Sequence, residues 1–308
     1  MKILVFGAGV LGCNLARNLF RAGKDVTLLA RGNWASEIKT NGLKIKNRFS
    51  PCMSVSRIPA VTELNPTDAY DVVFVAVRYT QIEAILDTLR ASRAKTILFV
   101  GNNIRASQTA ALLPEKNVLF AFTSAAGRRE SDHVDSVDLR KITVGPLRDA
   151  PSQEALIQDL FSGTKYKVIY EPNMEDYLLC HAAFVLPAAF ACYKTDGSLK
   201  KLKKDSAFLN RLIDANIEGY RAIRKAGHEI LPKEDQAFEG AAYRKICFHF
   251  FKLMCATFLG KLCVSDHAMN AADEMNALNR DMKAFFDANG AEYPVWQALE
   301  QECGRYLE

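Results

Sequence analysis

The sequence predicts an α/β protein, an N-terminal domain built on a parallel sheet followed by an all-helical C-terminal domain. Three observations predict it. Short, almost wholly apolar runs recur through the first half, a G-x-G-x-x-G turn follows the first of them, and from about Asp176 the strand signal gives way to helical periodicity. Near-continuous apolar strands are what a parallel sheet covered on both faces requires, because neither face meets water.

The first strand is Lys2-Ile3-Leu4-Val5-Phe6, and it breaks into Gly7-Ala8-Gly9-Val10-Leu11-Gly12 before an amphipathic stretch from Val10 to Phe20. Each glycine has its own reason. Gly7 allows the tight strand-to-helix turn, Gly9 lets backbone approach a pyrophosphate, and Gly12 lets the helix pack near the strand. A phosphate then sits on free amides at the helix N-terminus. The strand before and the helix after make this a Rossmann-type dinucleotide site, completed by the backbone of Ala8, Val10 and Leu11; a structural glycine turn is the alternative reading.

A second strand, Asp25 to Ala30, ends at Arg31-Gly32. An NAD enzyme places an Asp or Glu at such a strand end to hold the ribose 2′-hydroxyl. Here no acid stands there, and Asp25 is at the opposite end of the strand. The Arg31 guanidinium is suited to a 2′-phosphate, since its planar fork matches phosphate oxygens and stays charged. The expected cofactor is therefore NADP.

Further strands are expected at Asp71 to Val77, Thr96 to Val100 and Val118 to Phe122, with Lys141 to Gly145 and Tyr166 to Tyr170 as additional edge strands. The turn Glu171-Pro172-Asn173 marks the boundary, giving an NADP-binding domain over 1–172 and a helical substrate and dimerisation domain over 173–308. The helical half comprises a helix from Tyr177 carrying Pro187, one from Phe208 to Ala226, and a group from Tyr243 to Asn289. Gly227 and Gly290 stand where left-handed C-terminal caps are wanted. The substrate is expected in the cleft between the domains.

Composition fits an enzyme of two ordinary domains: 308 residues, 49% hydrophobic, 24% charged, net charge +5. The one dense basic run, Lys200 to Lys204, has no interleaved aromatics and reads as a solvated helix start, so no nucleic-acid partner is expected. The eight cysteines are dispersed without a C-x-x-C pair and read as reduced core thiols; no metal site is expected. No signal peptide is visible, and the apolar run Ala182 to Cys192 is about half the roughly twenty residues a bilayer needs, so neither membrane insertion nor export is expected and the location is cytoplasmic. The apolar Cys247 to Leu262 stretch reads as a buried core helix, with a homodimer surface as the open alternative.

These residues resemble the ketopantoate reductases, and the resemblance covers nearly the whole chain. It rests on the Gly7 to Gly12 turn, Arg31, Val77-Arg78 at a strand end, Val100-Gly101-Asn102-Asn103, which is similar to the family's L-Q-N-G, and Thr123-Ser124-Ala125-Ala126 after the next strand. In the second half, Glu218 to Gly227 looks like the family's helix end and Asp273-Glu274-Met275 like its T-E-I-D segment. The resemblance implies a Rossmann domain, a helical domain, and reduction of 2-dehydropantoate by NADPH. It also implies that Arg78 lies near the cofactor phosphate, Asn102 near nicotinamide and substrate, Ala126 on the cofactor through its backbone, and Glu274 in the cleft.

One segment departs from the pattern. The family's helix entering the second domain reads approximately K-L-x-x-N-x-x-x-N-P; aligned on Pro187, the catalytic lysine becomes Leu178 and the asparagines become Ala182 and Leu186. When hydride reaches a carbonyl carbon, the oxygen must receive a proton or meet a cation, and leucine supplies neither. His181, three residues after Leu178 and on nearly the same helix face, is the substitute acid, against the plainer reading of a structural histidine in apolar surroundings. Glu274 is the substrate-positioning candidate, with a solvated acidic face of Asp266, Asp273, Glu274 and Asp281 as its alternative. Lys194 reads as an exposed turn lysine, and His249 and His267 as lone helical histidines.

The functional expectation is an NADP-dependent oxidoreductase acting on a small 2-oxo acid, with His181, Glu274 and Asn102 at the chemistry. Loss of the asparagines points away from ketopantoate itself, because polar substrate contacts discriminate where an apolar wall does not. The alternative is a non-catalytic NADP-binding sensor or partner-docking protein with a degenerate site.

Overall fold

The computed structural model describes residues 1–303, apart from the side chains of Leu259, Cys263 and His267; the readings of Cys263 and His267 lie outside the described residues. The chain divides into two compact units, Met1–Glu175 and Asp176–Glu308.

The first unit contains β1 (Lys2–Phe6), α1 (Val10–Arg21), β2 (Asp25–Leu29), α2 (Gly32–Asn41), β3 (Leu43–Asn47), β4 (Met53–Ser56), β5 (Ala60–Val61), β6 (Val72–Val75), α3 (Leu86–Ala91), β7 (Thr96–Val100), α4 (Ala106–Ala111), β8 (Asn117–Arg129), β9 (Val134–Gly145), α5 (Glu154–Phe161) and β10 (Lys167–Tyr170). The strands form one sheet in the order β4-β3-β9-β8-β7-β6-β1-β2-β5, with β10 on β9. All pairings are parallel except β3 with β4 and β8 with β9. The expected apolar strands are its centre: Ile3, Leu4, Val5, Leu28, Val73, Phe74, Ile97, Leu98, Leu119 and Phe120 are fully buried. Leu15 and Leu19 of α1, one turn apart, are buried with them.

Two expectations about this sheet are corrected. Residues 141–145 are not an edge strand: they are the second half of β9, which has β8 on one side and β3 and β10 on the other. Ala126 does not follow a strand either; it lies inside β8, opposite Val137. The reason is in the polar residues Asp135, Ser136 and Asp138, which interrupt the apolar pattern of a buried strand yet find partners on folding. Asp135 is held by Arg48 through Nε at 2.7 Å, Ser136 Oγ accepts from Asn14 Nδ2 at 3.1 Å, and Asp138 accepts from Asn18 Nδ2 at 2.9 Å and pairs with Arg17 at 3.2 Å. Arg17 and Asp138 are both buried, and removing one member of such a pair leaves an uncompensated charge.

The second unit is helical throughout its described residues: α6 (Met174–Lys194, beginning two residues before the boundary), α7 (Ser206–Lys225), α8 (Ala241–Ala256), the single turn α9 (Phe258–Gly260), α10 (Asp266–Asn270), α11 (Ala272–Ala288) and α12 (Pro294–Gln301). Gly227 (φ +85°) and Gly290 (φ +58°) follow α7 and α11 in the left-handed region. Gly219 of α7 faces Ala183 of α6, where a Cβ would lie 2.9 Å from the alanine methyl, so the glycine sets how closely these helices approach. Trp296, Phe286 and Phe190 pack edge-to-face at 5.2 and 5.6 Å.

α12 is absent from the sequence reading, which stops at Gly290. It starts on Pro294, and the amides of Val295 and Trp296 donate to the Glu218 carboxylate of α7 at 3.0 and 2.9 Å. The cap comes from another helix and is invisible locally; the local signal the sequence did carry is Pro294 at the first helical position. The apolar 247–262 stretch is not one buried helix: α8 ends at Ala256, Cys247, Phe251 and Cys255 are buried, and Phe250, Leu253 and Phe258 are exposed. α6 is long and apolar enough to cross a membrane by length and composition, and 78% of its most apolar 18-residue window is buried inside the protein.

Candidate active site

Parallel strands deliver their C-terminal ends to one edge, and four of the expected site segments stand there. β1 ends at the glycine turn, β2 at Arg31, β6 at Val77-Arg78 and β7 at Gly101-Asn102. Backbone bonds lock the turn to its neighbours: Gly7 N–H donates to Leu29 at 3.3 Å, Ala76 N–H to Phe6 at 2.8 Å and Gly101 N–H to Ala121 at 3.0 Å.

The three glycines differ in what surrounds them. A Cβ on Gly7, whose φ is +114°, would lie 2.4 Å from the Ala76 carbonyl oxygen, and one on Gly12 would lie 1.9 Å from the Gly7 carbonyl oxygen. Both positions exclude any side chain. Gly9 meets nothing within 4 Å, so the space in front of it is open. It is the N-cap of α1, whose first turn has no acidic residue and no side-chain cap. The amides of Val10, Leu11 and Gly12 at this helix start therefore face an anion-compatible opening. A dinucleotide diphosphate fits this arrangement of open Gly9, uncapped helix and absent carboxylate.

The other candidates gather around it. The Leu11 side chain approaches Gly101 at 3.7 Å from the latter's Cβ direction, which brings the first turn of α1 beside the segment carrying Asn102. Asn103 is used by that segment itself, donating to Thr109 Oγ1 at 3.1 Å and accepting from the Arg105 amide at 3.1 Å. Arg31 is exposed at the N-cap of α2 with its guanidinium over the Phe6 ring at 5.9 Å. Arg78 is exposed at the start of a short 3₁₀ turn, Tyr79–Gln81.

Trp34, in the first turn of α2, was not anticipated. Its buried indole donates to the Ala8 carbonyl at 3.0 Å and so pins the glycine turn, while the Arg129 guanidinium lies over its ring at 5.7 Å. The one available signal was the rarity of tryptophan, two in the chain. Burial pushes the neighbouring Cys13 thiol up to about 12, against the Trp34 hydrogen bond and the Arg129 charge, so it is no nucleophile.

The candidate chemistry is divided: Asn102 belongs to the first unit, His181 and Glu274 to the second. On α6, Leu178, Ala182 and Leu186 share one face and are all at most 2% exposed. His181 is half-buried, one turn from Phe184, whose ring stacks on Phe251 and tilts against Phe250, both at 5.6 Å. Glu274 and Asp281 of α11 are buried, which corrects the reading of a solvated acidic face. Burial raises the Tyr193 hydroxyl, and Cys192, Cys303, Asp273 and Glu274 add to it, so Glu274 is felt at Tyr193. Lys194 pairs with Glu302 and lies over Phe208 at 4.5 Å. Asp176, fully buried, holds His228 Nδ1 at 2.6 Å. Among the described residues, no three His, Cys, Asp or Glu side chains form a metal-holding group.

Residues 3–149 match the family model described as ketopantoate reductase PanE/ApbA. The chain is 25% identical over 181 residues, 57% of its length, to an uncharacterized oxidoreductase, YkpB, of Bacillus subtilis, and 31% identical over 105 residues, 34% of its length, to a 2-dehydropantoate 2-reductase of Pyrococcus abyssi. The matches span 59% and 34% of those relatives. In fold it is similar to a 2-dehydropantoate 2-reductase of Geobacter metallireducens (TM-score 0.83, 15% identity, 99% of both chains). It is also similar to a D-mandelate dehydrogenase solved with NADH and anilino(oxo)acetate (TM-score 0.81, 16% identity, 100% of this chain and 98% of that one).

Proposed function

Residues 3–149 form a ketopantoate reductase (PanE/ApbA) family domain, and from that premise we propose that the chain is an NADPH-dependent oxidoreductase reducing the carbonyl of a small 2-oxo acid. The observation that carries the reading is the glycine turn, closed to side chains at Gly7 and Gly12 and open at Gly9. The Val10, Leu11 and Gly12 amides hold the diphosphate, with Ala8 beside them, Arg31 takes the 2′-phosphate, and Arg78 adds positive charge at the same sheet edge. Asn102 and the backbone of Ala126 face the nicotinamide end. NADPH, when bound, supplies the hydride. His181 donates the proton to the carbonyl oxygen, yielding a 2-hydroxy acid and a neutral ring, and Glu274 positions the substrate.

Leucine and alanine at 178, 182 and 186 leave that face of α6 without the polar groups that would hold ketopantoate, which favours a different 2-oxo acid. The D-mandelate dehydrogenase neighbour, named for an aryl 2-hydroxy acid, supports including aryl 2-oxo acids. The test is NADPH oxidation with ketopantoate, phenylglyoxylate and aliphatic 2-oxo acids, beside calorimetry with NADPH and NADH. His181→Ala is expected to lower kcat by about 10²–10⁴-fold, the usual range for general acid catalysis, with NADPH affinity kept; unchanged turnover overturns the histidine's role. Tight NADPH binding with no turnover on any acid supports instead a cofactor-binding protein without catalysis, a reading the buried Leu178 favours. A homodimer is proposed through exposed Ile246, Phe250 and Leu253, with sedimentation equilibrium as its test, and the cytoplasm as its location.

A further inference from the structure

We propose that Arg129 is a second ligand of the cofactor's 2′-phosphate and, together with Arg31, sets a preference for the phosphorylated dinucleotide. The inference rests on the NADPH reading above and adds to it a residue that no sequence pattern indicated.

Arg129 is the last residue of β8, some hundred positions from Arg31 in the chain, and the fold brings it to the first turn of α2. Its guanidinium lies over the Trp34 ring at 5.7 Å, as that of Arg31 lies over Phe6 at 5.9 Å. Stacking on an aromatic face holds the guanidinium plane while leaving its N–H edge available, the edge that matches phosphate oxygens. Among the described residues neither arginine has a carboxylate partner, whereas the adjacent Arg128 is engaged by Glu130 at 2.5 Å. Successive strand residues point to opposite faces, which explains why one of the two arginines is neutralised and the other is not.

The ring beneath Arg129 is itself tied to the cofactor turn. Trp34 donates to the Ala8 carbonyl, and it sits three residues after Arg31 in the same helical turn. A phosphate held by Arg31 at the α2 N-terminus is thus flanked by Arg129 across Trp34. The diphosphate has its own donors in the amides of α1 and needs no guanidinium, so the charge at Arg129 goes to the 2′-position.

The test is the dissociation constants of NADPH and NADH, by calorimetry, for the wild-type chain and for Arg31→Ala, Arg129→Ala and Arg128→Ala, each checked for an unchanged melting temperature. Arg129→Ala is expected to weaken NADPH about tenfold, which is about 1.4 kcal/mol, and NADH less than twofold, with Arg128→Ala leaving the ratio unchanged. Equal weakening of both cofactors overturns the assignment, as does an unchanged NADPH constant while Arg31→Ala still loses affinity. A wild-type protein that binds NADH as tightly as NADPH overturns the NADPH reading beneath it, and the two failures are told apart by the wild-type ratio alone. If Arg129→Ala unfolds the protein, Arg129→Lys, which keeps the charge but loses the fork, is expected to lower NADPH affinity several-fold and leave NADH unchanged; no change overturns the proposal.

Discussion

In the proposed function the glycine turn and the first half of α6 face the same demand, that a helix present chemistry to a small anionic ligand, and differ in how they meet it. At the turn the donors are backbone amides, and the side chains matter by being absent: Gly7 and Gly12 have carbonyl oxygens within 2.4 Å of any Cβ. On α6 the chemistry of the resembling family is carried by three side chains, and here all three positions are leucine or alanine and buried. A backbone site is maintained by the packing that makes the fold. A side-chain site has no such protection: apolar residues at these three positions pack as core with the helix intact.

Four experiments break or sharpen this contrast. The largest effect is expected from Gly12→Val, which forces Cβ against the Gly7 carbonyl: NADPH affinity falls more than about 100-fold and stability by about 1–3 kcal/mol, as overpacking usually costs. Calorimetry and a melting curve check it, and wild-type values for both count against a turn closed by packing. Next is Asp138→Ala in β9, which leaves Arg17 buried without its partner and is expected to cost about 3–5 kcal/mol in urea unfolding. A loss below about 1 kcal/mol shows that water replaces the pair.

Gly9→Ala separates binding from folding. Its Cβ enters open space, so the melting temperature should hold while NADPH affinity drops by about tenfold, about 1.4 kcal/mol; a stability loss without a binding loss reverses the roles assigned to the glycines. The smallest effect concerns Glu218 in the helical unit. Burial raises its carboxyl above the ordinary 4.5, against the lowering donated by the Trp296 and Val295 amides. The native state thus binds this proton more tightly than the unfolded chain. The associated stability is full below pH 4.5, falls as pH rises from there through the higher native pKa, and then levels off. Glu218→Gln should remove that decline, a change of about 1 kcal/mol or less, and an unaltered pH dependence of urea unfolding assigns it to another group.

Much of the first unit was legible because its signals are local. Apolar runs bounded by turns mark β1, β2, β6 and β7, and the spacing of Gly7, Gly9 and Gly12 carries its own steric meaning. The helix ends at Gly227 and Gly290 were legible for the same reason, since a left-handed cap is a property of one residue. Leu178 at the position where the resemblance implies a lysine was also readable, because residue identity needs no coordinates.

What the sequence by itself determined is the apolar strands β1, β2, β6 and β7, the tight glycine turn after β1, and the change to helices in the second half. Only the tertiary structure decided the rest. It put Asp135, Ser136 and Asp138 into an interior strand, because their partners Arg48, Asn14, Arg17 and Asn18 lie about 90 to 120 residues away in the chain. It buried Glu274, capped α12 with Glu218, and laid Arg129 over Trp34. Periodicity reports which way a side chain points relative to its own element. Whether a polar group finds a partner there depends on residues distant in sequence, and that is settled only when the elements pack.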